Sequence, residues 1–140
     1  MALVMDRAAL TAFLHTDFQQ GAEDFVIEHV DESGAVLRLR AGERHLRPGG
    51  TMSGPAMFAV ADVAFYFALL SRIGPVALAV TTNASIDFMR KPAAGRDLLA
   101  EARILKLGRV LAVGDVMVRS DGVDAPVARA SMTYSIPPRG

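Results

Sequence analysis

The chain has 140 residues, 15 Lys plus Arg against 15 Asp plus Glu, and no cysteine. That length accommodates one domain with its own core; a net charge of zero argues against a nucleic-acid binder, which carries a basic excess on one face. Lack of cysteine excludes disulfides, thiolate metal sites and cysteine nucleophiles, and a hydrophobic share of 51% exceeds what so small a core needs, so an oligomer is expected.

In chain order, Leu3, Met5, Leu10, Phe13 and Leu14 recur at helical spacing and predict an N-terminal helical segment within residues 1–20. Asp6 and Arg7 interrupt it, so no secretory signal is expected. Phe25, Ile27 and Val30, then Asp31-Glu32-Ser33-Gly34, then Val36, Leu37 and Leu39 predict a hairpin with a polar turn. The loop RPGGTMSGP, Arg47 to Pro55, leads into a central helix over 54–73. This stretch has no alternation and is rich in Ala, Met, Phe and Leu, which favour helix; Gly74-Pro75 ends it. A helix apolar on nearly every side needs cover on nearly every side. Asp62, the one charged residue between Ser53 and Leu70, is costly at a membrane centre. The segment therefore reads as a core helix of a soluble cytoplasmic domain.

Four strand-like stretches follow: Val76 to Arg90, Arg96 to Arg109, Arg109 to Gly122 and Ala125 to Ile136. In the second, Leu99, Ala102 and Ile104 are expected on one face, with Glu101 and Arg103 on the other. Short breaks at Gly108-Arg109 and Ser120–Asp124 suit antiparallel hairpins. The expected fold is α+β, a single domain over 1–140 with an antiparallel sheet wrapped around one long central helix.

Two motifs carry more. Ser53-Gly54-Pro55 opens the central helix and Asp62 follows nine positions after Ser53; TTNASIDFMRKPAAG runs from Thr81 to Gly95. On these the chain resembles the hotdog-fold acyl-CoA thioesterases of the phenylacetate-degradation type. There a His-Gly-Gly motif opens the helix, an acidic residue follows nine positions after the His, and a Thr-x-x-x-x-Ile-x-Phe-Leu-Arg-Pro-Ala strand comes next. The departures are Ser53 for the His, Pro55 for the second Gly, Arg47 where an Asn is common, and Lys91 as an extra residue before Pro92.

The resemblance implies that Asp62 acts as general base or nucleophile, that the Gly54 N–H binds the oxyanion, and that Thr81 positions water. It places Ser53, Pro55 and Asn83 at the substrate, and Arg90, Lys91 and Arg109 on the phosphates of coenzyme A. Hydrolysis of a small or medium acyl-CoA, aromatic groups included, to free acid and CoA is the implied reaction, with no cofactor or metal. Gly54 and Asp62 are about 12 Å apart at ~1.5 Å per residue, too far for both to act on one carbonyl within a single helix; the resemblance implies a homodimer with antiparallel helices, paired into a tetramer.

Alternatives stay open on the residues themselves. Pro55 lacks an N–H, although proline suits a first helical turn; a non-catalytic acyl-CoA or acyl-ligand binding protein is one rival. A hydratase or dehydratase of the same fold is another, but it would use a His beside the acid. Asp62 also fits a structural carboxylate bonded to backbone amides or an Arg, Ser53 a helix N-cap, and Thr81 a plain β-former. His15, His29 and His45 have no metal-ligand spacing and read as surface or packing residues; Phe65, Tyr66 and Phe67 read as core.

Overall fold

Helix α2, Gly54–Ile73, is the element around which the chain is built. The computed structural model describes residues 3–18 and 22–138; residues 1, 2, 19 and 20 of the expected N-terminal segment lie outside them. Ser53 caps the start of α2, and Gly74, at φ 94°, donates its N–H to the Leu70 carbonyl (2.8 Å) at the end. Glycine suits that position because side chains disfavour positive φ. The N–H groups of Val4 and Met5 both donate to the Ser71 carbonyl, satisfying a C-terminal acceptor that an isolated helix leaves unpaired.

Around α2 the chain runs α1 (Arg7–Thr16), β1 (Phe25–Asp31), β2 (Gly34–Leu39), then, after α2, β3 (Val80–Phe88), β4 (Leu98–Leu107), β5 (Leu111–Ser120) and β6 (Pro126–Ser135). The six strands form one sheet in the order β1-β2-β4-β5-β6-β3, antiparallel throughout. The Asp6 carboxylate caps α1 by accepting from the Ala9 N–H (2.9 Å). Phe13 of α1 meets Phe67 of α2 edge-on at 6.4 Å, so α1 covers the flank that the sheet leaves open.

The inner face of the sheet is made of small residues where the helix is bulky. Ala100, Ala102, Ala112, Ala128 and Ala130 are buried beneath a helix carrying Phe65, Phe67, Leu69 and Leu70. Such alternation of small and large side chains lets the two layers reach interior packing density. Gly114 is the extreme case: a Cβ there would stand 2.1 Å from the Arg103 carbonyl oxygen and 2.4 Å from the Phe65 ring. By length and hydropathy α2 could cross a membrane, but 67% of its apolar window is buried inside this fold.

Two local expectations change. Val76 to Ala79 is a turn, closed by the Ala79 N–H to the Val76 carbonyl, so β3 begins at Val80. Leu99 lies on the face of Glu101 and Arg103, not with Ala102. It is buried there between its cross-strand partners Arg38 and Arg119, whose long stems can cover apolar surface while their charges reach water.

At one end of the sheet Arg38 of β2 reaches Glu28 (3.0 Å), Asp97 (2.9 Å) and Asp121 (2.8 Å), tying β1 to the segments flanking β4 and β5. Arg38 holds the Asp121 carboxyl below the ordinary carboxylate range, first by hydrogen bonding and then by charge. A carboxylate depressed on folding adds stability that is complete above its unfolded pKa and lost as pH falls through the folded one. Acid unfolding monitored by circular dichroism is therefore expected to show a smaller loss of stability below pH 4 in Arg38→Met, measured from its own neutral-pH value, than in the wild type. Gly114→Ala is expected to destabilise by about 2 kcal/mol or more through overpacking, read from urea unfolding.

Candidate functional site

Asp62 sits in the third turn of α2, half-buried, facing the junction of β3 and β6. One of its carboxylate oxygens, Oδ1, accepts from the Thr81 hydroxyl at 2.6 Å and from the Tyr134 hydroxyl at 2.9 Å. The same phenol lies 3.1 Å from the Asp62 main-chain carbonyl. Among the described residues its side-chain partners are two hydroxyls, neither a backbone amide nor an arginine.

A β-bulge brings Thr81 to this position. Tyr134 pairs with Thr81, yet the next pair is Thr133 with Asn83, so Thr82 is the inserted residue. Beyond the bulge Ala84, Ile86 and Phe88 pair with Met132, Ala130 and Ala128, the inner face of β6. Without the extra residue, strict alternation would turn Thr81 outward together with Asp87. Bulges re-aim side chains in this way beside functional sites. Asn83, exposed, pairs with Thr133 and lies on the outer face, whereas Thr81 lies on the inner one.

Tyr134 was not singled out from the sequence. Alternation along β6 puts it with Met132 on the inner face, but its meeting with Asp62 depends on the cross-sheet register. Its ring packs on Phe65 at 5.3 Å and Tyr66 at 6.2 Å. Burial, and then the Asp62 charge, push the Tyr134 phenol far above its ordinary range, so it remains a protonated donor at any working pH.

At the start of α2 the Ser53 hydroxyl oxygen accepts from the Ala56 N–H (3.1 Å), and Pro55 occupies the first turn. The Met57 N–H is taken by the Ser53 carbonyl (3.0 Å). Among the described residues, no acceptor takes up the Gly54 N–H. Helix starts favour negative charge through such N–H groups and the helix dipole.

Beside Gly54 lies a cleft of about 340 Å³ lined by Arg47, Met57, Phe88, Arg90 and Lys91, among others. Arg90 and Lys91 thus join Gly54, together with Arg47, while Arg109 does not. Arg109 stands at the β4–β5 connection, on a larger apolar cleft of about 730 Å³ with Ile73, Leu107, Val110 and Ile136 at the far end of α2. Within the chain Gly54 and Asp62 stay about 12 Å apart along the helix axis. Of the histidines, His15 lies in the last turn of α1, His29 bonds Asp31 (2.9 Å), and His45 lies 3.4 Å from Asp24.

A six-stranded antiparallel sheet wrapped around one long central helix is the hotdog fold. The chain belongs to the thioesterase superfamily, whose family model matches residues 49–134, and its enzyme class is that of a thioester hydrolase. A candidate thioesterase from Silicibacter sp. TM1040 is similar at 58% identity, over 99% of this chain and 96% of that one, with a TM-score of 0.92. The Escherichia coli PaaI protein, from the phenylacetic acid degradation operon, is similar at 26% identity over 92% and 91% of the two chains, TM-score 0.78. A candidate esterase of Pseudomonas aeruginosa is 30% identical over 102 residues, 73% of this chain and 75% of its own.

The cap at Ser53 has a measurable consequence. Ser53→Ala is expected to lower stability by about 1 kcal/mol, the usual worth of an N-cap, as read from denaturant unfolding.

Proposed function

We propose that this protein hydrolyses acyl-CoA thioesters to free acid and CoA, working as a homodimer with Asp62 as general base. The single observation that carries the reading is the carboxylate of Asp62 held by two hydroxyls at mid-helix while a free N–H stands at the helix start.

The dimer supplies what one protomer lacks. β3 is an edge strand of nine residues, with Val80, Phe88 and the adjoining Met89 exposed at 54%, 52% and 42%. A long, apolar, unpaired edge is a template for strand addition. Thr81, bonded to Asp62, sits at one end of β3, and Phe88, whose ring would lie 3.6 Å from a Cβ on Gly54, at the other. Antiparallel pairing of β3 with a second copy about a two-fold axis near Ala84 sets Val80 opposite the second Phe88. Gly54 of the partner subunit then approaches Asp62, and the Arg47, Arg90 and Lys91 cleft adjoins the apolar cleft that carries Arg109. A basic mouth opening on an apolar cleft supports a substrate with phosphates on one part and an acyl group on another, as in acyl-CoA.

In this reading a water between Asp62 and the thioester carbonyl gives its proton to the carboxylate as its oxygen bonds to carbon. The Gly54 N–H stabilises the oxyanion. Collapse of the tetrahedral intermediate breaks the C–S bond and expels the CoA thiolate, a good leaving group because a thiol pKa is about 8.5. The thiolate then takes up the proton held by Asp62, which restores the carboxylate.

The test is thiol release from a panel of phenylacetyl-, benzoyl- and straight-chain acyl-CoAs. Asp62→Asn is expected to lower kcat by ~100-fold, the usual worth of a positioned base, at unchanged folded fraction. Arg90→Ala with Lys91→Ala is expected to raise KM with kcat preserved. Binding of acyl-CoA without turnover by the wild type would replace this reading with that of an acyl-ligand binding protein.

A further inference from the structure

We propose that Tyr134 is the positioning residue for Asp62: with Thr81 it ties down one carboxylate oxygen, Oδ1, and leaves the other, Oδ2, to the reaction. The inference rests on the hydrolase reading above and adds a residue to it.

The geometry is asymmetric. Both hydroxyls converge on Oδ1, at 2.6 Å from Thr81 and 2.9 Å from Tyr134, and no group among the described residues bonds Oδ2. A phenol has one proton to give, and the nearer of its two acceptors is the carboxylate, with the Asp62 carbonyl slightly farther at 3.1 Å. Two donors on one oxygen fix both the torsion of the side chain and which lone pairs face the open side.

Tyr134 is itself rigidly held. It is 3% exposed, its ring packs against Phe65 and Tyr66, and its backbone pairs with both Thr81 and Ala112. Phe65 in turn lies over Gly114. A reactive group acts well when its supports are locked by packing, and a shift of about 1 Å in its position can cost ~100-fold in rate. Thr81, beside the bulge at the end of β3, is the looser of the two supports; Tyr134 belongs to the core of the sheet.

The chain has two tyrosines and no tryptophan, which allows a readout independent of turnover. In a Tyr66→Phe background Tyr134 is the sole emitter. A phenol hydrogen-bonded to a carboxylate loses emission by proton transfer in the excited state, so Asp62→Asn is expected to brighten it at neutral pH. In the thiol-release assay Tyr134→Phe, which keeps the ring and its packing, is expected to lower kcat about tenfold with KM within about twofold, as for a group that acts only on the chemical step. Thr81→Ser, which keeps a hydroxyl, is expected to retain more kcat than Thr81→Val, and Thr81→Val with Tyr134→Phe to fall below either single variant. Unchanged emission, or a wild-type kcat in Tyr134→Phe, overturns the proposal. A wild type that hydrolyses no thioester defeats the hydrolase reading instead, and the emission then decides alone whether Tyr134 holds the carboxylate.

Discussion

The structure depends on one constraint: a twenty-residue helix, apolar almost all round, has to be covered all round. One sheet can do this only by curling, and the curl needs small residues wherever the helix is large. The alanines of β4, β5 and β6 and the single Gly114 beneath Phe65 meet that need, and α1 closes the side that remains. Within so tight a wrapping a charged group is tolerable only if it is bonded and near an opening. Asp62 satisfies both conditions, since Thr81 and Tyr134 hold it and it lies close to the unpaired edge of the sheet.

That edge links packing to chemistry. β3 is the last strand, it carries apolar side chains into solvent, and its two ends adjoin the two halves of the candidate site. A second copy added there would cover exposed surface and bring a helix start to a carboxylate in the same event. Stability and activity of such a protein are then coupled through one interface, so a variant that weakens β3 pairing impairs turnover even when every polar group of the site is intact.

Much of the architecture was legible in the residues. A continuous apolar stretch bounded by Ser53 and Gly74 reads as a helix, and alternating stretches on either side read as strands, so the sheet wrapped around one helix follows from periodicity alone. Local parity was less legible. Leu99 looked like an inward residue because it is apolar, and only the register shows it between two arginines on the outer face. The bulge at Thr82 left no composition signal either, yet it decides that Thr81 faces Asp62 and that Asn83 does not. Tyr134 is not legible in the sequence because it meets Asp62 across 72 positions. Basic residues that look alike at strand ends, Arg90, Lys91 and Arg109, separate into two clefts once the strands are ordered.

If each site is shared between two copies of the chain, variants defective in different halves of it complement one another. Asp62→Asn and Gly54→Leu proteins would each retain only a small residual activity, the first lacking the base and the second crowding the helix start. Refolded together in equal amounts, half of the dimers are mixed, and each mixed dimer carries one intact site of two. Recovery of about one quarter of wild-type turnover is expected for a two-fold assembly with sites between subunits. Turnover no greater than the sum of the two variants, in a sample shown to contain mixed dimers, would instead place each site within a single chain.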